Sequence, residues 1–144
     1  MARHHPTRAG IALVEYALIV PLLLMLLAGV LNYSLALRMA SCAASAARAG
    51  AQYGSRSILS SVDTAGIRST ALNSVPTVTG LTITSSQTCK CSDGGAVSCT
   101  GTCPSGSVSV YVQVTATGTA SAIFNYPGLA FSGNTSSRVL MRVQ

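Results

Sequence analysis

Cys89, Cys91, Cys99 and Cys103 stand close together, with Gly94 and Gly95 in the bend between them. Four thiols at that density either ligate a metal or pair as disulfides. The spacing lacks the paired C-x-x-C of zinc ribbons and no histidine is nearby, so two disulfides are expected, given a domain that faces an oxidising compartment. A disulfide between Cys89 and Cys91 would close too short a ring for the bond's geometry. If the flanking runs form a hairpin, the nested bonds Cys89 to Cys103 and Cys91 to Cys99 fit best, with the crossed pairing open. The loop would then staple a weak core and expose Lys90 and Asp93 at its tip for partner contact. Cys42, in an alanine-rich run, reads as a small buried hydrophobe without a role.

A second chemical feature is a single carboxylate, Glu15, in the heptapeptide Gly10, Ile11, Ala12, Leu13, Val14, Glu15, Tyr16. Beyond it residues 16–37 carry no formal charge. As helix that stretch measures about 33 Å, enough to cross a bilayer core. An ionised side chain costs roughly 2.5 to 3.5 kcal/mol at the membrane centre and less near the interface. Glu15 therefore needs a partner or a route to headgroup water. Tyr16 beside it suits an interfacial anchor. No catalytic constellation accompanies these groups. Both histidines, His4 and His5, lie at the very start, Asp63 and Asp93 have no acidic neighbour in sequence, and the serines lack a nucleophile elbow. Neither an enzyme nor a cofactor or metal site is expected.

The elements that must carry these groups follow from periodicity. Residues 1–10 read as a short basic leader with Pro6 opposing helix. A helix runs from Ile11 through Pro21, changes from leucine-rich to alanine-rich after Arg38, and is weakened at Gly50 and Gly54. Small side chains from Ala40 to Ala51 allow close approach by other elements. A second, amphipathic helix is expected over 57–75, with Ile58, Val62, Ala65, Leu72 and Val75 on one face and Pro76 ending it. Alternation at Leu81 and Ile83, at Val108, Val110, Val112 and Val114, and at Val139, Met141 and Val143 predicts strands. Turn residues predict a loop over 125–134. The fold class is α+β. A transmembrane helix over 11–54 continues into a small disulfide-stapled domain over 55–144, with a second helix, a short antiparallel sheet and a cysteine loop at 89–103.

Composition narrows the function. Charged residues make up 8% of the chain and hydrophobic ones 49%, much of the latter in the span. The remainder, rich in Ser, Thr, Gly and Ala, buries only a modest core and leans on disulfides or neighbours. The formal charge of +6 comes from scattered basic residues rather than a basic stripe, so nucleic-acid binding is not expected. Ordinary signal cleavage at Ala44, Ser45, Ala46, or at a lipoprotein-like box ending in Cys42, competes with a retained span. The apolar run is too long for a signal h-region, and Glu15 interrupts its start. Asn134, Thr135 and Ser136 match a glycosylation acceptor, a pattern that is common by chance.

The heptapeptide resembles the processing site of type IV pilin precursors of the Flp class. With residues 8–27, the run Ala46, Ala47, Arg48, Ala49, Gly50, Ala51, the cysteine loop and residues 138–143, the chain resembles TadE-type minor pilins or pseudopilins of the tight-adherence (Tad) pilus. The resemblance implies cleavage by a prepilin peptidase between Gly10 and Ile11, and Glu15 and Tyr16 at the fifth and sixth positions of the mature chain. It implies that Glu15 meets the new amino terminus of a neighbouring subunit. The implied partners are other pilin or pseudopilin subunits and the inner-membrane assembly platform. The implied location is single-pass in a bacterial inner membrane with a periplasmic C-terminal domain, or incorporated in a surface pilus that supports adherence. A filament-forming pilin subunit and a membrane-anchored or secreted disulfide-stapled binding module are the alternatives.

Overall fold

A computed structural model describes residues 9–104, 106–124 and 133–144. The leader before Ala9 and most of the expected 125–134 loop lie outside the described residues. The described residues form one long helix, α1 (Ala9–Gly54), two short ones, α2 (Ile58–Val62) and α3 (Thr64–Asn73), and four strands. These are β1 (Thr82–Cys91), β2 (Ala96–Val97), β3 (Val108–Ala120) and β4 (Gly133–Arg142). The long apolar helix followed by a small antiparallel sheet domain with two disulfides is an α+β fold.

The 46 residues of α1 span about 69 Å. It already includes Ala9 and Gly10, ahead of the expected start at Ile11. Its two halves differ in surroundings. Leucines and valines from Leu13 to Leu27 are exposed, whereas Ala43, Ala46, Ala47 and Ala51 are fully buried. The buried half lies across β3 and β4, with α3 beside it over β1. Methyl-sized side chains and Gly54 permit that approach. A Cβ on Gly54 would stand 3.0 Å from Val112 and 3.1 Å from Ile67, leaving no room for an added side chain.

The sheet is antiparallel throughout, in the order β2-β1-β3-β4. Its inner face carries Ile83 of β1, Val112, Val114 and Ala116 of β3, and Val139 and Met141 of β4, packed on Ile67 and Ala71 of α3. The largest fully buried side chains are only Ile67, Val112 and Val114. Each contributes about 1.5 to 3 kcal/mol by burial, so the core is modest. The outer face is hydroxyl-rich, with Thr82 paired to Thr117 and Thr84 to Thr115.

Three sequence expectations change. The helix expected over 57–75 is two helices, because Asp63 stops α2 and caps α3, its side chain accepting from the Gly66 amide at 2.9 Å. Of the expected face Val75 is buried and Leu72 packs on the core, but Ile58, Val62 and Ala65 are exposed and Ser61, Ile67 and Ala71 are buried instead. Strand β1 runs on through Ser85, Ser86 and Gln87, which lack apolar alternation, because their backbone pairs with β3 and Gln87 donates to the Ser61 hydroxyl at 2.9 Å. Gly133 and Asn134, assigned to a loop by turn chemistry, begin β4 opposite Ala120 and Thr119.

Asp63 also ties the α2–α3 corner to α1, since the Tyr53 hydroxyl donates to its carboxylate at 2.9 Å. The Gly66 amide and the Tyr53 hydroxyl hold the Asp63 carboxyl below its ordinary range. A Cβ on Gly66 would collide with that carboxylate and lie 2.6 Å from the Tyr53 hydroxyl. Gly66→Ala should therefore lower the domain's melting temperature by roughly 4 to 8 °C, the span for an ordinary cap lost from a domain of this size. A carboxylate whose folded pKa is depressed stabilises above its unfolded pKa and loses that contribution as pH falls through the folded value. The melting-temperature gap between wild type and Asp63→Ala should thus be constant at neutral pH and narrow in acid. Thermal unfolding followed by circular dichroism across pH checks both. A gap that widens in acid would refute the arrangement.

Candidate functional site

The chain's chemistry is distributed over three places along α1 and at the far end of the sheet. At the foot of α1, Gly10 and Ile11 fall in the helix, and the side chain of Ile11 lies outside the described residues. Glu15 and Tyr16 are both exposed one turn further on. Among the described residues no hydrogen bond satisfies the exposed Glu15 carboxylate. From there to Leu27 the helix surface is apolar on all sides and exposed. An all-round apolar helix is covered by lipid or by other helices. Among the described residues, one helix is long and apolar enough to cross a membrane.

The second place is Asn32, which sequence reading passed over because an amide carries no formal charge. It is 5% exposed, near the upper end of the apolar run. Its Nδ2 donates to the Phe124 carbonyl at 3.1 Å, and its Oδ1 accepts from the amides of Ile123 at 3.1 Å and Phe124 at 3.4 Å. The segment leaving β3 thus reaches down α1 and binds it. The sequence signal was available: a lone amide within residues 16–37 needs partners in a low-dielectric layer.

At the far end of the sheet the four loop cysteines form two disulfides, Cys89 to Cys99 and Cys91 to Cys103, with Cα separations of 5.1 and 5.7 Å. This is the crossed pairing rather than the nested one. The nested choice assumed a plain hairpin between the flanking strands. Instead the chain first folds back as β2, with Val97 opposite Cys89, on one edge of β1. It must then return to reach β3, where Val108 lies opposite Cys91 on the other edge. That reversal carries Cys99 toward Cys89 and brings Cys103 back to Cys91. Cys42 is a free thiol, half-buried on α1. With both loop pairs oxidised, their sulfurs carry no thiolate for a metal, and among the described residues no group of three His, Cys, Asp or Glu side chains gathers. The surface grooves are lined mainly by hydroxyl and aliphatic side chains, as beside Thr64, Arg68, Leu72 and Thr84.

A membrane-capable helix with an exposed carboxylate at its foot thus forms, with its upper half, the spine of a small stapled sheet domain. Residues 10–52 match the family model of the TadE-like proteins. The match covers α1 from the glycine of the heptapeptide almost to its end, and is consistent with a TadE-like protein of the Tad pilus system. No curated protein and no solved structure matches the chain.

Proposed function

We propose that the chain is a minor pilin or pseudopilin of a Tad pilus, cut after Gly10 by a prepilin peptidase and held in a bacterial inner membrane with its sheet domain in the periplasm. It acts by packing α1 against other pilin subunits and the assembly platform, and so supports pilus biogenesis and adherence rather than catalysing a reaction. It has no role in binding nucleic acid. The observation that carries this reading is the division of α1. Its lower half presents an apolar surface with one exposed carboxylate, Glu15, while its upper half is buried in its own domain. Such a subunit is a domain mounted on an assembly helix. Cleavage would place an ammonium on Ile11 and a carboxylate four residues on, charges of opposite sign that neighbouring helices align in register.

The mature chain is expected to start at Ile11 and to retain the span. Intact mass and N-terminal sequencing of the protein from its native membrane check this. A start at Cys42 or Ala47 would instead mean lipoprotein or signal cleavage and would sink the proposal.

A further inference from the structure

We propose that the Ile123–Phe124 corner is a second membrane contact, seated just inside the hydrocarbon edge of a phospholipid bilayer on the domain's side and pinned there by Asn32. The inference rests on the reading that α1 spans the membrane.

Depth along α1 leads to it. With Glu15 at one edge, a hydrocarbon core of about 30 Å takes up about 20 helical residues. The opposite edge then falls near Leu35. Asn32 is three residues inside that edge, roughly 4.5 Å below it at the helical rise. Three hydrogen bonds tie the Ile123–Phe124 backbone to Asn32, so the corner sits at the same depth. Water is scarce there, which accounts for an amide that satisfies both its own atoms and two backbone N–H groups through one clasp.

The side chains suit this position. Ile123 is 67% exposed and Phe124 43%, although both are large and apolar. Leu31 and Tyr33, on either side of Asn32 in α1, are exposed as well, on the helix that already faces lipid in the spanning reading. A groove between α1 and the end of β3 is lined by Leu35, Arg38, Val78, Thr79, Ser121 and Ile123, without a carboxylate. Arg38 is the first charge above the span, a cation at the level of lipid phosphates with aliphatic groups below it. The chemistry from Ile123 up to Arg38 thus follows the order of a phospholipid, from acyl chain to phosphate.

The chain has no tryptophan, so a single one introduced is a clean reporter. The full-length protein is reconstituted at low density into vesicles of phosphatidylcholine and phosphatidylglycerol containing lipids brominated at shallow or deep acyl positions. Phe124→Trp, and independently Ile123→Trp, should emit to the blue of Lys90→Trp and lose emission most with shallow bromines. Leu24→Trp, in mid-span, should lose most with deep ones. Asn32→Leu on the Phe124→Trp background should weaken the shallow quenching. Unquenched, water-like emission at both 123 and 124 alongside deep quenching at 24 would overturn the second contact alone. No quenching at any of the three positions would overturn the spanning reading itself. A blue shift at 124 that appears only as protein density is raised would assign the corner to a second copy of the chain and overturn the lipid contact. Quenching unchanged by Asn32→Leu would refute the clasp.

Discussion

In a strain carrying Glu15→Ala as its only copy, association with the other pilus subunits and surface piliation are expected to fall to a small fraction of wild type, while cleavage after Gly10 and membrane insertion persist. Removing a carboxylate makes the span more apolar, so insertion has no reason to suffer. Assembly does. An ammonium and a carboxylate about 4 Å apart attract by roughly 4 kcal/mol at an effective dielectric of 20, before desolvation offsets part of it. Every other side chain on the exposed lower half is an apolar or uncharged neighbour that can slide past its equivalent by a helical turn at little cost. A charge pair cannot slide without leaving an ion unpaired. Glu15→Asp keeps the charge with a shorter reach and should give an intermediate defect if contact geometry matters. Co-purification from membranes and imaging of surface pili are the measurements. Wild-type values for Glu15→Ala would reduce the glutamate to a marker of the membrane edge.

Loss of the disulfides should have the largest effect on the domain itself. Each bond closes a loop of about a dozen residues, and a bond over such a loop stabilises by about 3 kcal/mol through the entropy of the unfolded chain. The two loops overlap, so the second bond formed adds less than the first. Against a core whose largest fully buried groups are Ile67, Val112 and Val114, that is a large share of the stability. Replacing Cys91 and Cys103 together by alanine should lower the unfolding free energy by about 2 to 4 kcal/mol and expose the loop entering β3 at Val108 to proteolysis. Replacing all four should prevent the domain from accumulating. Chemical unfolding of the purified variants reads the first result. Non-reducing peptide mapping of the wild type should recover Cys89 with Cys99 and Cys91 with Cys103, with Cys42 unlinked. Recovery of Cys89 with Cys103 would refute the path described for β2.

Much of this molecule could be read along the chain because its strongest signals are local. Residues 16–37 carry no charge and are apolar almost throughout, and the alanine run has no bulk, so the span and its close-packing continuation need no knowledge of what surrounds them. Val108, Val110, Val112 and Val114 alternate against polar residues because β3 has one face on the core. Glu15 stood out because a charge beside an apolar span is costly wherever the helix goes. Other features arose only when distant segments met. Ser85, Ser86 and Gln87 are strand because β3 hydrogen-bonds to them, not through any preference of their own. Ile67, not Ile58 or Val62, is buried because Asp63 breaks the helix and turns α3 onto α1. The crossed disulfides follow from β1 lying between β2 and β3, a matter of strand order that spacing does not encode. Asn32 gained its partners from residues some ninety positions away. Periodicity reports which face of an element is buried, whereas pairing across the sheet and along α1 is decided by chain topology, and only the folded structure brings those groups within hydrogen-bonding distance.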